Sequence, residues 1–179
     1  NSGFYLDDFD ALISKIKSCN KKDRKVLLIG VSFALLDLAE KLDVSLNENF
    51  IVMETGGMKG RRKELIRSEL HCVLKEGLGV NQIYSEYGMT ELLSQAYAKK
   101  DNQFVMPDQM EILIRDVNDP FCILEEGKSG GVNVIDLANV HSCAFIETQD
   151  LGRKIDDRTF EILGRFDNAD IRGCNLLII

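Results

Sequence analysis

Val26-Leu-Leu-Ile-Gly-Val31 is a short continuous apolar run between Lys25 and Ser32, the pattern of a strand buried on both faces. Reading outward from it, Ser32 is placed to cap a helix over Phe33–Leu42. Upstream, Asp7 or Asp8 can cap a helix in which Phe9, Leu12, Ile13 and Ile16 follow helical spacing. Downstream, Phe50-Ile-Val-Met-Glu54 is a second strand ending in Thr55-Gly-Gly-Met-Lys-Gly60, and a long helix follows from about Arg61 to Glu76. Gln82-Ile-Tyr-Ser85 is a third strand ending in Glu86-Tyr-Gly-Met89, with another helix expected from Thr90. Strand alternating with helix through short links predicts a parallel sheet with right-handed crossovers.

After Lys100 the hydrophobic period changes. Met110–Arg115, Gly131–Asp136, Cys143–Glu147 and Thr159–Leu163 have period-two character and are broken at Asp119-Pro120, Glu126-Gly127 and Ser129-Gly130. The expected fold class is α/β: a parallel sheet with flanking helices over residues 1 to about 105, then a smaller, mainly antiparallel β unit over 106–179. No internal repeat, low-complexity tract or Ser/Pro linker separates the two parts.

The 179 residues are 45% hydrophobic and 28% charged, the composition of a globular domain. No apolar run approaches the roughly 20 residues of a membrane span. The first residues lack the basic stretch and apolar core of a signal peptide. Five cysteines at 19, 72, 122, 143 and 174 form no disulfide framework, so a reducing, cytoplasmic compartment is expected. The net charge of −7 argues against nucleic acid as a partner. Residues 1–90 carry 13 basic and 13 acidic side chains, so the acidic excess lies in the second half. This reads either as a solvated acidic surface or as a change of architecture near residue 91.

In a parallel sheet, ligands bind at the carboxyl ends of the strands. Two such ends, Thr55–Gly60 and Glu86–Thr90, carry glycines followed by expected helix starts. Glycine permits close approach of a ligand to the backbone, and a helix start offers free N–H groups to an anion. The geometry nominates a flat, phosphorylated ligand, although glycines at Gly56, Gly57 and Gly88 also serve ordinary tight turns.

Tyr84-Ser-Glu-Tyr-Gly-Met-Thr-Glu91 resembles the Tyr-Gly-x-Thr-Glu signature of the adenylate-forming enzymes (acyl-CoA synthetases, phenylacetate-CoA ligases, luciferases). Three further segments fall in that superfamily's order. Thr55-Gly-Gly57 resembles its adenine loop, Glu147-Thr-Gln-Asp150-Leu-Gly152 its Thr-Gly-Asp motif with Gln149 at the usual glycine, and Gly164-Arg-Phe-Asp167 through Gly173 its Gly-Arg-x-Asp…Arg-Gly motif. The resemblance implies ATP/AMP and Mg²⁺ as cofactors. Adenine would lie between Gly56-Gly57 and the Tyr87 ring, within a binding segment of Ser85, Glu86, Tyr87, Gly88, Met89 and Thr90. Thr90 would bond the α-phosphate and Glu91 would hold Mg²⁺, a hard cation suited to oxygen ligands. Asp150 and Arg165 would take the ribose hydroxyls, and Asp167 stands at the hinge position.

No Ser/Thr/Gly-rich phosphate loop precedes the adenine loop, and no lysine-bearing domain follows, so the chain is expected to be the C-terminal part of a longer enzyme. Met53–Arg62, Val132–Asn139 and Gly164–Asn175 resemble the Lux-type acyl-protein synthetases in detail. That likeness implies activation of a fatty-acid substrate as acyl-AMP, transfer to a cysteine matched by Cys174, and delivery to an acyl-accepting reductase protein. Arg172 beside Cys174 would favour its thiolate. Cys19, Cys72, Cys122 and Cys143 read as small buried hydrophobes. His71 and His141 have no carboxylate or cysteine at ligand spacing, and Lys59, Arg61, Arg62 and Lys63 are either a solvated helix start or an anion-facing cluster. A phenylacetate-CoA ligase-like enzyme and a non-catalytic nucleotide-binding or docking module are the alternative readings.

Overall fold

The computed structural model describes residues 2–57, 62, 65–99 and 102–166. The chain divides into two compact units, Asn1–Glu86 and Tyr87–Ile179.

The first unit runs α1 (Phe9–Asn20), β1 (Val26–Val31), α2 (Ser32–Lys41), β2 (Phe50–Thr55), α3 (Arg67–Leu78) and β3 (Ile83–Tyr87). Asp8 caps α1 by accepting from the Ala11 amide at 3.0 Å, as expected of a short acidic side chain before a helix. β1, β2 and β3 are parallel and adjacent in that order, with Val26 opposite Phe50 and Val52 opposite Ile83. Two right-handed crossovers that step in the same direction put α2 and α3 on the same face. On that face Val52 and Ile83 pack with Leu35, Leu36, Leu38, Leu70, Leu74 and Ile16.

This one-sided layering corrects the expectation for β1. Leu28 points into the core, but Leu27 and Ile29 are 59% and 48% exposed, because no described helix of this unit lies over the opposite face. A continuous apolar run therefore does not require two buried faces. Two helix expectations also change. Ser32 is the first residue of α2 rather than its cap, and its hydroxyl turns to β2 instead. Helix α3 starts at Arg67 rather than near Arg61; Leu65 and Ile66 are non-helical, and the β-conformation of Ile66 makes it the N-cap. The helix runs two residues past Glu76 and closes on Gly79 in the left-handed conformation.

The second unit is antiparallel, as expected. It contains β4 (Ala96–Ala98), β5 (Phe104–Val105), β6 (Met110–Arg115), β7 (Ser129–Asp136), a 3-10 turn (Leu137–Asn139), β8 (Phe145–Asp156) and β9 (Thr159–Arg165). The spatial order is β4-β5-β9-β8-β7-β6. The expected strand at Met110 is found at its full length, whereas β8 continues nine residues beyond Glu147, and the short β4 and β5 carry no periodic signal of their own. The core is built on Phe104 and Phe160, stacked at 5.4 Å, with Ile112, Ile114, Val132 and Val134 around them.

The helix expected from Thr90 is absent. Residues 90–95 form a turn, a bend and irregular backbone leading into β4. Buried Asp136 fixes this segment instead: it accepts from Leu93 N at 2.8 Å, Ser94 N at 2.9 Å and Ser94 Oγ at 2.7 Å. Asn139 adds a bond to the Glu91 carbonyl at 2.6 Å. The Val132–Asn139 stretch thus serves locally as a clamp on the segment after Thr90.

Candidate functional site

The β2 end in the first unit is built from alternating side chains. Glu54 points into the helix layer, where it is 1% exposed. Thr55 points the other way and donates to Glu86 Oε1 at 3.1 Å. Gly56 then turns at φ 69°, a conformation that glycine adopts without strain. Among the described residues a Cβ at Gly57 would meet nothing within 4 Å. Met58, Lys59, Gly60, Arg61, Lys63 and Glu64 lie outside the described residues. Arg62 is ion-paired with Asp37 and Glu40 of α2, which gives it a structural partner rather than an anionic ligand.

The Tyr84–Glu91 segment distributes its residues unevenly. Ser85 is wholly buried on the helix side, 3.1 Å from His71 Nε2, so its side chain does not face a ligand. Gly88 and Met89 are half-buried, and Thr90 and Glu91 are exposed. Glu91 therefore presents one carboxylate in the open, which suits Mg²⁺ held mainly by phosphate oxygens and water. Among the described residues no group of three His, Cys, Asp or Glu side chains could hold a metal by itself.

In the second unit three predicted residues converge. The Tyr87 hydroxyl donates to Asp150 Oδ2 at 2.9 Å, and Arg165, opposite Asp150 in the β8–β9 pairing, has Nε 3.9 Å from Oδ1. Arg165 also donates to Gln149 Oε1 at 3.2 Å, so the unusual Gln149 is a partner to the cluster. Burial and the facing carboxylate push the Tyr87 phenol well above its ordinary range, which keeps it a hydrogen-bond donor at neutral pH. Its ring is 7% exposed and packs edge-on to Phe160 at 5.4 Å and against Phe104 at 5.8 Å. Asp150 is oriented from below: its amide donates to Thr148 Oγ1 at 3.0 Å, and the Thr148 carbonyl accepts from the buried Arg115 at 2.8 Å. Arg115 also binds Val132 O and Asn133 Oδ1 where the β7–β8 register shifts.

Sequence spacing missed two features. His71 does have a carboxylate nearby: its Nε2 lies 3.7 Å from Glu54 Oε1, and Arg67 Nε lies 3.5 Å from the same oxygen. The helical i, i+4 spacing of Arg67 and His71 was the available signal, but only folding brings β2 beneath it. The cysteines also differ from expectation. Cys72, Cys122 and Cys143 are exposed rather than buried, because Cys72 lies on the outer face of α3 and the other two lie outside the regular strands. Asp167, Arg172, Gly173 and Cys174 lie outside the described residues.

No protein-family model matches the chain, and no curated protein matches it in sequence. Solved structures do match in fold. ATP-bound MatB from Rhodopseudomonas palustris aligns with a TM-score of 0.65 at 16% identity, over 89% of this chain and 33% of its own. O-succinylbenzoate coenzyme A synthetase (MenE) from Bacillus subtilis, in complex with ATP and magnesium, aligns at 0.61 and 19%, over 89% and 35%. A benzoate CoA ligase from Burkholderia xenovorans aligns at 0.59 and 14%, over 89% and 34%. The chain has the fold of one section of these enzymes. It spans about a third of the length of the structures it matches.

Proposed function

We propose that this chain is a nucleotide-binding part of an ATP-dependent acyl-protein synthetase. The observation that carries the reading is the meeting of Tyr87 and Arg165 on Asp150, three residues that are 63 and 15 positions apart in sequence. Asp150 accepts from the ribose hydroxyls and Arg165 donates to them. Gly56 and Gly57 contribute backbone groups to adenine recognition. Thr90 donates to the α-phosphate from an exposed turn, a position that relies on its own hydroxyl because no helix dipole stands behind it. Bound Mg²⁺ would neutralise phosphate charge during adenylate formation, with Glu91 as its protein ligand.

The fold likeness to CoA ligases supports an acid–thiol ligase. The detailed likeness of Met53–Arg62 and Val132–Asn139 supports the acyl-protein type, in which Cys174 takes a fatty acyl group from acyl-AMP and passes it to a reductase protein in the cytoplasm. Calorimetric titration of the chain with AMP tests the nucleotide site: binding is expected, and Asp150→Ala should weaken it by about tenfold or more, the equivalent of losing a charged hydrogen bond. Absence of binding by the unmodified chain overturns the reading. The acyl step is tested in the intact enzyme with ATP, Mg²⁺ and labelled fatty acid. A hydroxylamine-sensitive label is expected, and its persistence in Cys174→Ser would exclude Cys174 as acceptor.

A further inference from the structure

We infer that Glu54 is a positioning residue for the Gly56-Gly57 loop and that it acts through Ser32. Glu54 lies one residue before the loop base, and Arg67 and His71 hold its Oε1 side from α3 at 3.5 and 3.7 Å. Its Oε2 accepts from Ser32 Oγ at 3.1 Å, and the same Ser32 oxygen lies 3.2 Å from the Gly56 carbonyl oxygen. A hydroxyl has one proton, so Ser32 shares it between the carboxylate and the loop carbonyl. Both partners lie on the helix side, and Ser32 is itself 1% exposed at the first turn of α2.

Thr55 fastens the same strand end from the opposite face through Glu86 at 3.1 Å. Residues 54, 55 and 56 are therefore tied on alternate faces just before Gly57. A buried carboxylate needs such compensation, which an apolar residue at the same place would not. The cluster is not a proton relay of the hydrolase kind. His71 meets both Glu54 and Ser85 with Nε2, whereas a relay uses both ring nitrogens. What the arrangement does supply is a fixed direction for the Gly56 carbonyl, and so for the Gly57 amide in the same peptide plane.

The link to ligand binding rests on the proposed role of this loop in adenine recognition, and two readouts keep the two ideas separate. Amide hydrogen exchange at Gly56 and Gly57 would be followed by NMR in the unmodified chain, Ser32→Ala, Ser32→Thr, Glu54→Gln and Leu78→Val, together with AMP affinity by calorimetry. Leu78 is buried at the C-terminal end of α3, so Leu78→Val controls for a general loss of stability. Ser32→Ala and Glu54→Gln are expected to speed exchange at Gly56 and Gly57 and to weaken AMP about tenfold, the size of one lost hydrogen bond. Ser32→Thr should restore both, and Leu78→Val should change neither. Unchanged exchange in Ser32→Ala would overturn the inference, even if Glu54→Gln fails to fold. Faster exchange in Ser32→Ala, in a chain that never binds AMP, would uphold the positioning role while overturning the nucleotide reading.

Discussion

Asp150 divides its two oxygens between a neutral donor and a cation, Tyr87 on one and Arg165 on the other. Removing the phenol hydroxyl with Tyr87→Phe keeps the ring against Phe104 and Phe160 but deletes the bond, so chemical denaturation should report a loss of about 1–2 kcal/mol with the spectrum of the fold unchanged. Two buried carboxylates elsewhere make a pH prediction. The Ser94 hydroxyl and amide, with the Leu93 and Ala138 amides, outweigh the opposing effect of burial on Asp136 and hold its carboxyl below the ordinary 3.8. At Glu54, burial is again the largest influence and acts upward, but His71, Arg67, Ser85 and Ser32 together hold the carboxyl below 4.5. A group depressed by folding adds stability that is complete above its unfolded value and is lost as pH falls through the folded one. Thermal unfolding should therefore move to lower temperature as the buffer is taken below about pH 4.5, and Asp136→Asn should flatten that dependence while lowering the plateau.

At the scale of elements, β6 and β7 are joined at a point where no side chain fits. A Cβ on Gly130 would meet the Arg115 backbone oxygen at 2.2 Å, and one on Gly131 would meet the Arg115 guanidinium at 2.5 Å. The backbone cannot yield and the guanidinium is tied to three acceptors, so Gly130→Ala should be the worse of the two, with a loss of about 2–3 kcal/mol in equilibrium unfolding. The elements also show what a one-dimensional reading can reach. β1, α1, β2 and β6 were legible because each carries its own signal: an apolar run, a cap, or strict alternation over six residues. β4 and β5 have three and two residues and are strands only because partners flank them. The missing helix after Thr90 is the converse case, in which a distant residue, Asp136, holds the Leu93 and Ser94 amides in a non-helical arrangement. The site was half legible for the same reason: Asp150, Arg165 and Tyr87 sit in motifs, whereas Glu54, His71 and Ser32 belong together only after three crossings of the chain.

For the molecule as a whole, the uneven layering of the first unit has a measurable effect. Leu27 and Ile29 form a bare apolar strip on the face opposite the helices, and half-buried Ile51 and Met53 of β2 extend it. Exposed apolar surface of this kind drives association and dye binding. The double change Leu27→Thr with Ile29→Thr should reduce fluorescence of a hydrophobic dye and light scattering by the chain, with little change in its unfolding midpoint, since neither side chain contributes to the helix-side core. No described helix is long and apolar enough to cross a membrane, so that strip is not part of a helical span. Asp136, finally, sets an order in time as well as in space. It stands 42 residues after Ser94, the residue it grips most fully. During synthesis the Leu93-Ser94 segment leaves the ribosome before its acceptor Asp136 does, and it cannot take its final shape until β7 has emerged and paired. This segment is thus late to mature in the growing chain, although its own residues are made in the middle.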